Sequence, residues 1–437
     1  MMSMLNKLKT LFHKTTTKSA LDLLTAKRFD VTAKYLYCKH YLKGSVPRYI
    51  KQLYLHHIKV INNFYEEGKF TGEYTVSAEK FIKKFNHLID DVKLHGFLRE
   101  ISNIWINKQG NLINGAHRLA TCLCLGINPT TEIKPEKWGQ KVIDYQYLQN
   151  KKNFVSTGLR SEYAIRMALE FIRLKPTSYS LTMFPVASNK FPEVEKLIET
   201  SGEIIYKTSF EPSELGAFNL IETLYRNEPW LGKKESDFKG IRAKQAACFT
   251  KKGKVTVYFI DVQSHREVLK LKQYIRSLFT LDKHSCHIND THAQSVRVAE
   301  TVLNSNGLLW LNKRQSLDMP NFLKLLRDFK KWTKHQHVDL DDVCVGGSGV
   351  LALYGIRDCK DIDFIHANKK IASTKQFGSH NKYIEMYGVS LEEILHNPKC
   401  HLYYEGVKFM KLDLVADMKR SRKEKKDFED LKLIGDV

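Results

Sequence analysis

Hydrophobic and polar positions change period several times along this chain of 437 residues. Residues 20–100 read as mostly helical, with aromatic-rich stretches at Lys34-Tyr35-Leu36-Tyr37 and Leu53-Tyr54-Leu55-His56-His57 and a further helix at 78–92. The pattern then shortens to a strand from Ile104, a turn at Gly110, a second strand to Asn114, and a helix from Gly115 to about Gly126. Between 150 and 310 the chain alternates: helices at 163–174 and 215–225, strands at 180–185 and 202–207, and an alternating strand at 255–262 that leads into a helix at 265–279. Residues 343–345 read as a short strand, 346–349 as a tight glycine turn, 350–354 as a helix and 361–365 as a strand of period two. The order predicts an α/β and α+β multidomain chain, with domains at 1–74, 75–149, 150–312 and 313–437.

The last of these segments carries the most specific chemistry. On a strand of period two, Asp361 and Asp363 project to one face while Ile362 and Phe364 face the core. Two adjacent carboxylates repel unless a cation lies between them, and hard oxygen ligands suit Mg²⁺ or Mn²⁺. Ahead of them, Gly346, Gly347, Ser348 and Gly349 form a turn whose backbone N–H groups suit a phosphate. At these residues the chain resembles the nucleotidyltransferase superfamily of the DNA polymerase β type, whose pattern is a Gly-Ser turn, a helix and an Asp-x-Asp strand. The resemblance covers roughly the last quarter of the chain and implies a mixed-sheet fold in which both aspartates hold metal and the turn holds a triphosphate. It also implies a third carboxylate on a later strand, for which Asp413 is the candidate because alternation over 407–414 puts Lys411 and Asp413 on one face. The run 419–431, with Lys426 and Asp427 at its centre, resembles the basic R-x-K-D-x-x-D helix that closes many small members and would bring cations to the phosphates. Tyr354-Gly355-Ile356-Arg357 before the acidic strand also resembles the LicD branch, which moves phospho-alcohols from CDP-activated donors onto surface glycans.

A second motif follows the predicted hairpin. Gly115, His117 and Arg118 open a helix, where N–H groups and the dipole favour an anion. With His95-Gly96-Phe97 upstream, the segment resembles the ParB and sulfiredoxin superfamily over roughly 75–135, which implies phosphate contact by His117 and Arg118. Ala116 stands where sulfiredoxins place their catalytic thiol, which disfavours sulfinic acid repair. A third dense region, 283–292, places His284, His287, Asp290 and His292 around Cys286 without a standard zinc spacing. It is a second candidate site, either for a transition metal or for a phosphate met by Lys244, Arg242 and Arg276, with Asp290 alternatively a helix cap.

Charge and composition narrow the partners. A net charge of +22 calls for an anionic partner: nucleotide, nucleic acid, anionic glycan or lipid. Hydrophobic residues at 43% are enough for packed cores, and the longest apolar run, at 119–127, is too short to cross a bilayer. Residues 1–18, with Lys7, Lys9, Lys14 and Lys18 around Leu5, Leu8, Leu11 and Phe12, fit a basic amphipathic helix able to lie on anionic lipid. Without a secretory cleavage pattern, and with eight cysteines in no disulfide framework, a cytoplasmic protein is expected, its N-terminal helix either packing on a domain or, as the alternative, contacting the inner face of the membrane peripherally. The leading expectation is an enzyme: a metal-dependent nucleotidyl- or phospho-alcohol transferase with a nucleotide-activated donor and an anionic acceptor such as a glycan or lipid-linked glycan, in surface polysaccharide assembly. The alternatives are a nucleic-acid-binding or regulatory protein with an inactive transferase domain, and a toxin or antiphage nucleotidyltransferase.

Overall fold

The computed structural model of the chain describes residues 15–64, 77–97, 103–135, 142–151, 158–367, 371 and 373–435. Over the described residues it is a mixed α/β protein with three sheets. The chain divides into two compact units, Met1–Pro176 with Glu203–Tyr206, and Thr177–Gly202 with Lys207–Val437. No helix among the described residues is long and apolar enough to cross a membrane. Of the basic helix expected over 1–18, residues 1–14 lie outside the described residues, and Thr15–Thr17 form a strand instead.

The first unit places β1 (Thr15–Thr17), β2 (Ile104–Ile106), β3 (Leu112–Asn114) and β4 (Thr130–Ile133) in one sheet of order β1-β4-β2-β3. Helices Val31–Leu42, Arg48–Asn62 and Ala78–His95 supply its core, because their aromatic residues fall on inward faces: Tyr37, Tyr54, Ile58, Phe81, Phe85 and Ile89 form one cluster. The hairpin β2–β3 turns into helix Ala116–Leu125 through Gly115, whose φ of +107° favours glycine. Beneath this helix lies a buried ionic group. Asp30 accepts from Arg28 (2.8 Å) and Lys34 (2.7 Å), and the Lys34 ammonium also lies 3.0 Å from His57 Nε2.

In the second unit, β5 (Ser178–Met183), β6 (Glu203–Phe210), β7 (Val255–Asp261) and β8 (Cys286–Ile288) form a sheet of order β6-β7-β5-β8, of which the first four residues of β6 belong to the first unit. A five-stranded mixed sheet follows, with β9 (Val343–Val345), β10 (Ile362–His366), β11 (Phe377–Ser379), β12 (His401–Tyr404) and β13 (Val407–Met410) in order β11-β10-β9-β13-β12. Buried charges tie these sheets' helices together. Glu222 accepts from Arg226 and Arg314, and Glu405, in the β12–β13 turn, accepts from Arg226 and pairs with Arg297. Trp310 is fully buried and its indole donates to the Leu353 carbonyl at 2.9 Å.

Candidate functional site

Strand β10 owes its orientation to aromatic packing. Ile362 and Phe364 are fully buried, with Phe364 ring centroids 5.3 Å from Phe329 and 5.5 Å from Trp332 on helix Pro320–His335. The alternate residue, Asp363, faces the other way, as period two requires. Asp361, just before the strand, and Asp363 line one cavity of about 470 Å³ together with Gly347 and Ser348. The glycine turn is tighter than expected: Gly346 precedes a helix that begins at Gly347, not near Val350, and runs to Leu353. The Gly346 N–H donates to the Asp363 carbonyl at 2.8 Å, and Ser348 Oγ donates to Asp361 Oδ1 at 3.4 Å.

Two glycines hold space for the Asp363 carboxylate. Gly347 has φ of +53°, and a Cβ there would stand 2.9 Å from Asp363 Oδ2. Gly378 lies opposite Asp363 in the parallel β10–β11 register, where a Cβ would stand 3.0 Å from Oδ1. His380 Nε2 lies 3.2 Å from the same Oδ1, and its Nδ1 is buried with no hydrogen-bond partner among the described residues. His380 and Gly378 have no sequence motif; only the parallel pairing of β11 brings them to the aspartates.

Asp413 does not join them. Strand β13 ends at Met410, the Lys411 N–H donates to the Cys400 carbonyl, and the chain turns into helix Leu412–Arg422. Asp413 sits in its first turn with 72% of its side chain exposed, 3.7 Å from Lys411. The third carboxylate expected on a strand is thus on a solvent-facing helix start, outside the cavity.

The basic run expected as one closing helix is two, Leu412–Arg422 and Lys425–Gly435, with Lys423 left-handed at φ of +57° between them. Its acidic positions are structural. Asp427 and Asp430 are buried, and they accept from Lys419 (3.1 and 2.6 Å), from Arg422 (Asp427, 2.7 Å) and from Arg357 (Asp430, 2.6 Å). Burial would raise the Asp427 pKa, but hydrogen bonds from Arg422 and Lys419 hold it down at about 2. The same bonds raise the Arg422 and Arg357 pKa values, so both stay charged. Arg357, Lys419 and Arg422 are thereby fixed on the wall of the cavity, where Lys360 and the mostly exposed Lys426 join them.

In the first unit, His117 and Arg118 line a cavity of about 260 Å³ with Lys84 and Phe85. His117 is not a cation there. Burial first, and then the charge of Lys34, push its pKa well below the ordinary histidine value. Its Nε2 lies 3.0 Å from the Tyr54 hydroxyl and its ring stands edge-on to Phe85 at 4.6 Å. Arg118 donates to the Asn103 carbonyl at 3.0 Å. In the second unit, His287, Asp290, Lys244 and Arg276 line a further cavity. His284 stands 3.4 Å from the Lys244 ammonium but not on that wall, and Arg242 is paired instead with Asp237. Asp290 is not the cap of the next helix; Thr291 caps it through a capping box with Gln294. Among the described residues, no three of His, Cys, Asp and Glu come together so as to hold a metal ion.

No protein family, no curated protein and no solved structure matches the chain. The chemistry of these cavities therefore rests on their own residues.

Proposed function

We propose that the chain is a divalent-metal-dependent transferase of the DNA polymerase β type that moves a nucleotidyl or phospho-alcohol group from an activated donor to an acceptor hydroxyl. The supporting observation is that Asp361 and Asp363 share one cavity with Arg357, Lys360, Lys419, Arg422 and Lys426. Carboxylates beside a cluster of fixed cations make a poor site for an uncharged ligand and a good one for a metal with a polyphosphate.

Two hard-oxygen carboxylates without a third protein ligand among the described residues fit Mg²⁺ or Mn²⁺, which keeps water and takes substrate phosphate oxygens, and do not fit the closed nitrogen and sulfur cage of a structural zinc site. Asp361 and Asp363 would hold it, and when bound it supplies charge stabilisation and a more acidic acceptor hydroxyl. The other residues act on the donor. His380 fixes Asp363 through Oδ1, which leaves Oδ2 beside Gly347 at the turn. Arg357, Lys419 and Arg422, immobilised by Asp427 and Asp430, meet phosphate charge without a reorganisation cost, and Lys360 and Lys426 attract it from solvent. On this reading the first unit is ParB/sulfiredoxin-like, with anion contact from Arg118 and Lys84, and the acceptor is an anionic glycan or lipid-linked glycan at the inner face of the membrane.

The His380–Asp363 contact favours a second reading, in which the cavity binds nucleotide without transfer because the histidine occupies an oxygen that a metal would take. One experiment separates the two. The chain is incubated with NTPs and CDP-alcohols, Mg²⁺ or Mn²⁺ and candidate acceptors, and products are read by mass spectrometry beside an Asp361→Ala/Asp363→Ala variant. Transfer by the wild type and none by the variant is expected. Nucleotide retention with no product supports the second reading, and no nucleotide binding with either metal sinks both.

A further inference from the structure

The cavity at His287 is a site in its own right. Its volume is about 360 Å³, and Lys244, Lys272, Arg276 and Lys283 line it against two acids, Glu228 and Asp290. Lys244 is 8% exposed; its ammonium donates to the Lys283 carbonyl at 2.6 Å, lies 3.4 Å from His284 Nδ1 and sits over the Tyr225 ring at 5.7 Å, none of them a carboxylate. Lys272 donates to the Ile288 carbonyl at 2.9 Å and lies 3.4 Å from Asp290. Two polar atoms of residues that line it are buried with no hydrogen-bond partner among the described residues: His287 Nε2, on a residue only 6% exposed, and Arg276 Nε. Such groups are usually satisfied, so the cavity's polar lining is not complete within the protein itself.

The surroundings define the charge of a guest. Burial, with Lys272, Lys244 and Arg276 adding to it, pushes His287 down to about 3, so its imidazole is neutral and the positive potential comes from the lysines and the arginine. That potential favours an anion over a divalent cation, and no three metal-capable side chains come together among the described residues. Like charges held this close are stabilised by an anion between them, and a guanidinium with two lysines suits phosphate oxygens. One wall is not polar. The Tyr225 ring packs on His287 at 4.3 Å and meets Trp230 at 5.0 Å, and Trp230 is 44% exposed at the rim. An inorganic anion would leave that aromatic wall unused.

We propose that this cavity binds a phosphate monoester dianion, with Lys244, Lys272 and Arg276 on the phosphate and Tyr225 and Trp230 against its organic part. The site is separate from Asp361 and Asp363 and does not rest on the transferase reading.

The test is calorimetry on the full chain in EDTA, titrated with AMP, ribose 5-phosphate, inorganic phosphate and adenosine. Phosphate esters are expected to bind more tightly than inorganic phosphate, and adenosine not at all. Arg276→Gln should weaken AMP at least tenfold with an unchanged circular dichroism spectrum. Because Lys244 also holds the Lys283 backbone and its loss can unfold the loop, the second variant is Lys272→Gln, for which a several-fold loss is expected. Asp361→Ala/Asp363→Ala should leave AMP affinity within twofold. The proposal is overturned by no heat with any phosphate at millimolar concentration, by AMP affinity unmoved in both Arg276→Gln and Lys272→Gln, or by affinity lost only in the aspartate variant. AMP no tighter than inorganic phosphate overturns the part given to Tyr225 and Trp230.

Discussion

The cavity at Asp361 and Asp363 and the cavity at His117 and Arg118 were both expected to meet phosphate, yet they treat charge in opposite ways. At the first, buried acids lie behind the cations: Asp427 and Asp430 anchor Lys419, Arg422 and Arg357, whose charges reach the cavity wall. At the second, the compensated charges are sealed away. Asp30, Arg28 and Lys34 are each 5% exposed or less, and His117 above them is held neutral between Tyr54 and Phe85. A desolvated histidine whose burial no nearby carboxylate offsets stays neutral, whereas an arginine keeps its charge. The difference separates a wall of carboxylate-anchored cations from a pocket whose histidine carries no charge and whose cations are Arg118 and Lys84.

Removing an anchor should give the largest effect. Asp427→Ala leaves Arg422 without its principal acceptor and Lys419 with one carboxylate in place of two, and breaking a buried pair from one side costs about 3–5 kcal/mol. Urea denaturation is the measurement, with Lys426→Ala, whose side chain is 63% exposed, as the control expected to stay within about 0.5 kcal/mol of wild type. A small loss for Asp427→Ala would mean that the cations are not held by it and that the contrast between the cavities is wrong.

Acid gives the next effect. His57 and His287, buried and depressed below the ordinary histidine pKa of 6.5, stay neutral in the fold while the unfolded chain takes up their protons. Stability is therefore lost as pH falls below about 6.5, by about 1.4 kcal/mol per pH unit for each such histidine. Asp427 acts lower. Its folded pKa of about 2 against an ordinary 3.8 gives a contribution that is complete above about pH 4 and lost as pH falls towards 2. Denaturation midpoints between pH 7.5 and 5 should thus drop before carboxylates titrate, and His57→Gln should flatten that slope. An unchanged slope would show that His57 is not kept neutral by burial.

How much of this was legible follows from the range of the interactions. Alternation of Ile362 and Phe364 suffices to aim Asp363, and the β2–β3 hairpin with its Gly115 turn is a local pattern, so both were readable. Failure came where distant backbone decides. Lys408 is 3% exposed because its ammonium caps the Asp341 and Leu395 carbonyls, which no local pattern encodes. Lys411 still donates to the Cys400 carbonyl in line with the β12–β13 register, but it is the N-cap of helix Leu412–Arg422, so the strand that alternation would carry on to Asp413 ends there. His380 reaches Asp363 only through the register Asp363↔Gly378, and Tyr225, Lys272 and Arg276 join His287 only through packing of separate helices. No period in a single sequence encodes such meetings.

The smallest effect tests the edge of the comparison. Asp413 belongs by expectation to the metal carboxylates and by position to the solvent, on the first turn of helix Leu412–Arg422. There its charge does only what any acid does at a helix start, worth about 0.3–1 kcal/mol. Asp413→Asn should therefore shift the denaturation midpoint slightly and leave transfer or nucleotide retention within twofold of wild type, while Asp363→Asn abolishes it. A loss in Asp413→Asn as deep as in Asp363→Asn would require helix Leu412–Arg422 to unwind at its start and carry the carboxylate into the cavity. The anchors at the far end of that helix, Lys419 and Arg422 tied to Asp427 and Asp430, hold it in place as a body, so such a result would confine the rearrangement to its first turn.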